Sequence, residues 1–357
     1  MEDVIVEYVD KENKECRYEV DDVTISALDL SRRGIATIRL ESLKGLDNLR
    51  DLQLENNAIS DVDLSPLARL PNLMNLSLFK NSLTSIELKH LANVVNLKEL
   101  HLGSNNLAEI DLGPLSKCKY LTRLRLLGNR LTHLDLSPLA SCKALASLEI
   151  ENNQFRVLDI SGLAGCTGLQ QLNLMYNSLS HLNLSPLASC TNMKFLYLHH
   201  NELESVDLKP LENCLDIRIL RLGGNRIRII DLGSLAACTQ LRRLDLAMNE
   251  ISLLDLSPLA KAKKLTALDI AGNQLSAIDL TPLSKCKEIA ELYLYSDHPQ
   301  ENNFKEINIT PLFKCKQLED VSIAKDTVIH AKANLEDSEE IPAALEELIH
   351  DRRIKWI

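Results

Sequence analysis

Three kinds of chemically capable side chain recur along this chain at one spacing, 24 residues. A carboxylate column runs through Asp63, Glu87, Asp111, Asp135, Asp159, Asp207, Asp231, Asp255 and Asp279, with Asn183 and Asn308 in the same place. A cysteine column runs through Cys118, Cys142, Cys166, Cys190, Cys214 and Cys238 and continues at Cys286 and Cys315. The third column is asparagine, at Asn57, Asn81, Asn105, Asn129, Asn153, Asn177, Asn201, Asn225, Asn249 and Asn273. Stacked carboxylates can hold a cation or move protons. Stacked thiols can bind zinc or oxidise to disulfides.

A plainer chemistry accounts for each column. The carboxylates lie between two apolar residues just before a turn, and asparagine can replace them, so they read as acceptors for backbone N–H groups at that turn. The cysteine slot holds Leu70, Val94 and Ala262 in other repeats. That marks an interior apolar slot in which cysteine packs as a small hydrophobe. No Cys-x-x-Cys pair exists, and stacked thiols would point the same way, so reduced thiols are expected. His199-His200 is the one adjacent histidine pair. His101 lies four coils away, about 20 Å at strand spacing. No nucleophile–base pair, phosphate loop or zinc motif is present. The expectation is a non-enzymatic chain without metal or cofactor.

The elements that must carry these columns follow from the period. The stretch from Leu145 reads Leu-Ala-Ser-Leu-Glu-Ile, which alternates like a short strand. Leu136-Ser137-Pro138-Leu139-Ala140 in the preceding coil places serine before proline, the pattern of an N-cap and a first helical residue. A short helix or 3-10 turn should follow on the opposite side of the coil. At the ends, residues 4–9 and 15–20 flank a polar segment and predict a hairpin cap over 1–22. Repeats fill 23–328, and 329–357 reads as a helical cap, with Trp356 sealing the last coil.

The net charge of −10 and pI near 5.5 argue against a generic binder of nucleic acid or anionic membrane, although a local basic patch stays open. No basic leader and no apolar run of about 18–20 residues is seen. A soluble, cytoplasmic monomer is expected.

The frame L-x-x-L-x-L-x-x-N-x-L recurs ten times with its asparagine and again at residues 289–304, with five extra residues before Asn302. Weaker copies run from Leu28 to Arg33 and from Leu318 to Val328, where Asp326 takes the asparagine place. Over about residues 23–328 the chain closely resembles the leucine-rich repeat family. The resemblance implies an α/β solenoid, a horseshoe of about 13 coils with a parallel concave β-sheet and short convex helices or 3-10 turns. It also implies that the asparagines form a ladder of hydrogen bonds.

If the strands line the concave face, the residues six, four and two places before each asparagine point into it. Only 13 aromatic residues exist, and six of them (Phe79, Tyr176, Phe195, Tyr197, Tyr293 and Tyr295) map to this face or its rim. Exposed aromatics beside arginine are typical interface anchors. The candidate partner-binding residues therefore also include Arg123, Arg125, Leu127, Met175, His199, Ile219, Arg221, Arg243 and Asp245. Gly223 and Gly224 would leave room beside His199, and the insertion 297–301 should project from the same edge. The expected partner is another protein. One alternative is a regulatory subunit docking on an enzyme such as a phosphatase or small GTPase. A weaker one is RNA binding through Arg123, Arg125, Arg221 and Arg243, weakened because Glu149 and Glu151 fall among them.

Overall fold

A computed structural model describes residues 4–296, 301–336, 338 and 340–357. The insertion expected to project therefore lies outside the described residues, apart from Glu301. The chain forms two compact units, residues 1–177 and 178–357, and each is a stack of coils.

In the first unit the strands Ala27–Asp29, Asp51–Gln53, Asn75–Ser77, Glu99–His101, Arg123–Arg125, Ser147–Glu149 and Gln171–Asn173 form a parallel sheet. Each strand is three residues long because the pattern alternates only that far before the asparagine turn. Register is in step throughout, as in Arg123↔Ser147 and Arg125↔Glu149. A hairpin of Val4–Asp10 and Glu15–Val20 precedes the stack, and its first strand also pairs antiparallel with Ile35–Ile38. In the second unit Phe195–Tyr197, Ile219–Arg221, Arg243–Asp245, Ala267–Asp269, Glu291–Tyr293 and Asp320–Ser322 form a parallel sheet of the same kind. The insertion lengthens the step to Glu291↔Asp320, but register survives it. The helix Ala343–His350 and the strand Ile354–Trp356 follow, and the strand pairs with Val328–Ala331. Among the described residues no helix is long and apolar enough to cross a membrane.

Behind each sheet the leucines stack into a core. In the Asn129 coil, Leu121, Leu124, Leu126, Leu131, Leu136, Leu139 and Cys142 are all buried. The asparagine closes the turn that leaves the strand. Asn129 Nδ2 donates to Leu126 O at 2.9 Å and to Leu102 O of the preceding coil at 3.1 Å, while its Oδ1 accepts from Leu107 N at 3.0 Å. The same three bonds recur at Asn153 and Asn177. Asn302 restores them beyond the insertion.

The residue before each asparagine from Asn57 to Asn273 takes a left-handed backbone. Lys80, Ser104, Gly128 and Tyr176 do so in the first unit, and His200, Gly224 and Met248 in the second. Glycine adopts this freely at Gly128 and Gly224, whereas Tyr176 and His200 carry the steric cost of a side chain.

The opposite side of each coil is a 3-10 turn such as Ser137–Ser141 or Ser257–Lys261. The expected serine N-cap is corrected here. The residue before the turn is Leu136, and it makes no side-chain cap. Ser137 is already inside the turn, and its backbone N–H and hydroxyl donate to Asp135 at 2.8 and 2.9 Å. Those bonds hold the Asp135 carboxyl below the usual carboxylate range. The carboxylate column thus does the backbone-accepting work read from the sequence, as at Asp63, Asp111, Asp159, Asp207, Asp231, Asp255 and Asp279. Asn183 and Asn308 make the same bond. Glu87, with a longer side chain, instead pairs with Lys89 at 2.7 Å.

All nine cysteines are thiols. The column thiols donate to backbone carbonyls of the preceding coil, as Cys166 does to Leu139 O at 3.2 Å and Cys286 to Leu259 O at 3.3 Å. Burial pushes the Cys118, Cys214 and Cys286 thiols up to about 12.

Candidate partner-binding faces

On the strand face of the first unit, neighbouring coils answer one another across a step of 24 residues. Phe79 stacks on His101, with centroids 4.5 Å apart and planes at 16°. Arg123 donates to both Glu99 oxygens at 3.0 and 3.1 Å. Arg125 donates to Glu149 at 3.2 Å and stands 3.8 Å from Glu99. Both arginines are therefore already neutralised by the fold. Leu127 covers Gly103, where an added Cβ would meet its Cδ2 at 2.8 Å.

Two groups on this face titrate unusually. Burial, with Arg125 adding to it, pushes the His101 imidazole down to about 4, so it is neutral near pH 7. Glu151 is 7% exposed and its Oε2 has no hydrogen-bond partner. Burial drives its carboxyl up to about 7. Met175 and Tyr176 stand in the last coil of this unit, and Tyr176 is half exposed.

The strand face of the second unit is built differently. Phe195 and Tyr197 share a strand, and their rings are parallel within 2° at 6.4 Å. His199 meets Tyr197 edge-on at 6.2 Å. Its burial pushes the imidazole down to about 4, and burial also raises the Tyr197 phenol. Register sets Phe195 beside Ile219 and Tyr197 beside Arg221. Among the described residues Arg221 has no carboxylate oxygen within 4 Å, and its Nε is buried without a hydrogen-bond partner.

Beyond Arg221 the face turns acidic. Arg243 reaches over the small Ala267 to donate to Glu291 at 2.6 Å. Asp245 and Asp269 fold back onto their own strands, accepting from Ala247 N and Ala271 N at 3.1 Å. Burial raises both carboxyls, that of Asp269 to about 6. The Tyr293 phenol is pushed up to about 12 by burial and by its hydrogen bond with Asp320. At Tyr295 the backbone is tied to Ser322, which donates to its carbonyl at 2.7 Å.

The room expected at the two glycines is filled. An added Cβ at Gly223 would meet Asp245 Oδ1 at 2.5 Å, and one at Gly224 would meet His200 Nδ1 at 2.7 Å. Position alone sets the arginines on the face with Glu149 among them, and it leaves Glu99 and Glu291 unassigned as their partners. The signal was there: Glu99 and Arg123, and Arg125 and Glu149, are opposite charges one repeat apart.

The same frame is found in known proteins. The leucine rich repeat family model matches residues 24–83, 71–131, 119–179, 143–203 and 191–251. Among solved structures, an internalin from Listeria monocytogenes is 28% identical, with 84% of this chain and 87% of that one covered at a TM-score of 0.64. The functional domain of InlJ from Listeria monocytogenes, described as including a cysteine ladder, is 22% identical over 92% of this chain and 63% of that one, at a TM-score of 0.69. A leucine-rich repeat protein of Leptospira interrogans is 19% identical over 94% of this chain and 96% of that one, at 0.65. The last two likenesses concern the fold alone. No curated protein matches the chain in sequence. Since the family matches run almost unbroken from residue 24 to residue 251, over the asparagine frame and the coils it closes, the chain belongs to the leucine-rich repeat family.

Proposed function

We propose that the chain is a non-enzymatic protein-binding module and that the strand face of residues 178–357 is its docking surface. Arg221 carries the reading. The other strand-face arginines, Arg123, Arg125 and Arg243, are spent on Glu99, Glu149 and Glu291. Arg221 is left beside the aromatic pair Phe195 and Tyr197. Asp245 stands beside Arg221 in register without closing to 4 Å, and a guanidinium so placed next to half-buried rings is suited to a partner offering a carboxylate and an apolar side chain together. The core has no use for large rings on this face, since the leucines behind the sheet already fill it. The internal pairing of Arg123, Arg125 and Arg243 also counts against RNA binding there.

Interior thiols without disulfides suit a reducing compartment, which favours a cytoplasmic placement. The hairpin of 1–22 and the segment 329–357 serve in this reading as covers for the ends of the repeats.

The test is capture of partners from a native extract, identified by mass spectrometry. Phe195→Ala with Tyr197→Ala, and separately Arg221→Ala, should each weaken capture at least tenfold, as hot-spot truncations of about 2 kcal/mol do. The thermal melt should stay unchanged. Undiminished capture by both variants would sink the proposal.

A further inference from the structure

The side of the second unit away from its strand face carries a charge pattern that the strand-face reading leaves unused. Three consecutive turns, Ser257–Lys261, Thr281–Lys285 and Thr310–Lys314, end in lysine. After the buried residues Ala262, Cys286 and Cys315, each coil continues with a second lysine, Lys263, Lys287 and Lys316. The strands that follow are in register, as Ala267↔Glu291 and Glu291↔Asp320 show. Successive turns pack on one another, so the six lysines stand in two columns, three coils deep.

All six are exposed. Among the described residues only Lys316 has a carboxylate within 4 Å, that of Glu340 at 3.5 Å. The corresponding places in the preceding coil hold Ala237 and Thr239, so the repeat itself does not demand lysine here. In a chain of net charge −10, lysines this close, five of them with no carboxylate within 4 Å among the described residues, repel one another and cost stability unless something negative joins them.

We infer that this double lysine column is a docking strip for the phosphate backbone of a nucleic-acid duplex. Three features select that occupant. All six residues are lysine and none is arginine. Compact point charges meet phosphates without demanding one orientation, which suits contact along a backbone that is not read for sequence. No aromatic side chain interrupts the columns, so there is no stacking platform for the bases of a single strand. Exposed carboxylates border the columns at Glu288 and Glu319. A flat anionic membrane would press against these, while a linear polyanion can run along the columns and leave them aside.

Backbone contact of this kind reads no sequence and weakens steeply with salt. Each lysine on a phosphate contributes about 0.9 to the slope of log affinity against log salt. Engagement of four to six lysines should therefore give a slope of about −4 to −5.

The experiment titrates the full chain with a fluorescent 20-base-pair DNA duplex between 50 and 200 mM salt. Parallel arms use phosphatidylserine vesicles and poly-L-glutamate. The expected result is duplex binding with that slope. Lys285→Glu with Lys287→Glu should lower duplex affinity more than tenfold, and Phe195→Ala with Tyr197→Ala should leave it unchanged. A melt confirms that each variant is folded. No duplex binding at 50 mM salt, equal binding by the lysine variant, or preference for the vesicles or the polypeptide would each overturn the inference.

Discussion

At the scale of single residues, Glu151 is the clearest departure from surface behaviour. Its carboxyl is held near 7 by burial, against an ordinary value of 4.5. A carboxyl raised on folding favours the folded state fully below about pH 4.5, and that contribution is lost as pH rises through 7. Glu151→Gln should therefore raise the melting temperature at pH 8, by the equivalent of about 1–3 kcal/mol. At pH 4 it should change little. Equal effects at both pH values in thermal melts would show that the Glu151 charge is not what costs stability. The carboxylate column illustrates the opposite case. Asp135 is exposed and held low by Ser137, a role the sequence suggested through asparagine's ability to stand in. The serine-proline pattern marks the turn but not its acceptor, which is the residue two places before the serine.

At the scale of the element, each coil is as good as its two closures. Asn129→Ala would leave Leu107 N without its partner, while Leu102 O and Leu126 O lose one bond each and keep those from Asn105 and Asn153. One buried N–H left unpaired, with two shared carbonyl bonds lost, should cost about 2–3 kcal/mol, measurable by denaturant titration. A loss under about 1 kcal/mol would mean that water replaces the amide. The coil after Asn153 tests the turn side. Gly162 stands where Pro66, Pro114 and Pro138 stand in other coils. An added Cβ there would lie 2.1 Å from Leu136 O, because this turn approaches the previous one more closely. Restoring the repeat's own residue, Gly162→Pro, should thus destabilise by about 1–3 kcal/mol, although proline is favoured at that place elsewhere. A variant more stable than the parent would contradict the close approach. None of this was legible beforehand. Spacing reports which slot a residue fills, whereas the distance between two turns depends on every side chain around them.

At the scale of the molecule, the fold was the most legible property, because one strict period sets strand, turn and asparagine together. The strand face was legible as a set of positions, from Phe79 and Arg123 to Tyr293, but not as a set of contacts. Whether an arginine is spent or spare depends on the length and reach of the residue one or two repeats away. Arg243, which skips Ala267 to reach Glu291, shows how far that can extend. The lysine columns stand outside the strand frame, at positions where the preceding coil carries alanine and threonine. The buried thiols have one further use. They are spread coil by coil through both units, out of reach of reagents, while Cys16 is only partly covered. In native buffer a thiol-specific label should mark about one site per chain, and in denaturant all nine. Between those limits each cysteine acts as its own clock. The order in which labels appear, read by peptide mass, gives the order in which the stack comes apart, without any probe being engineered into it.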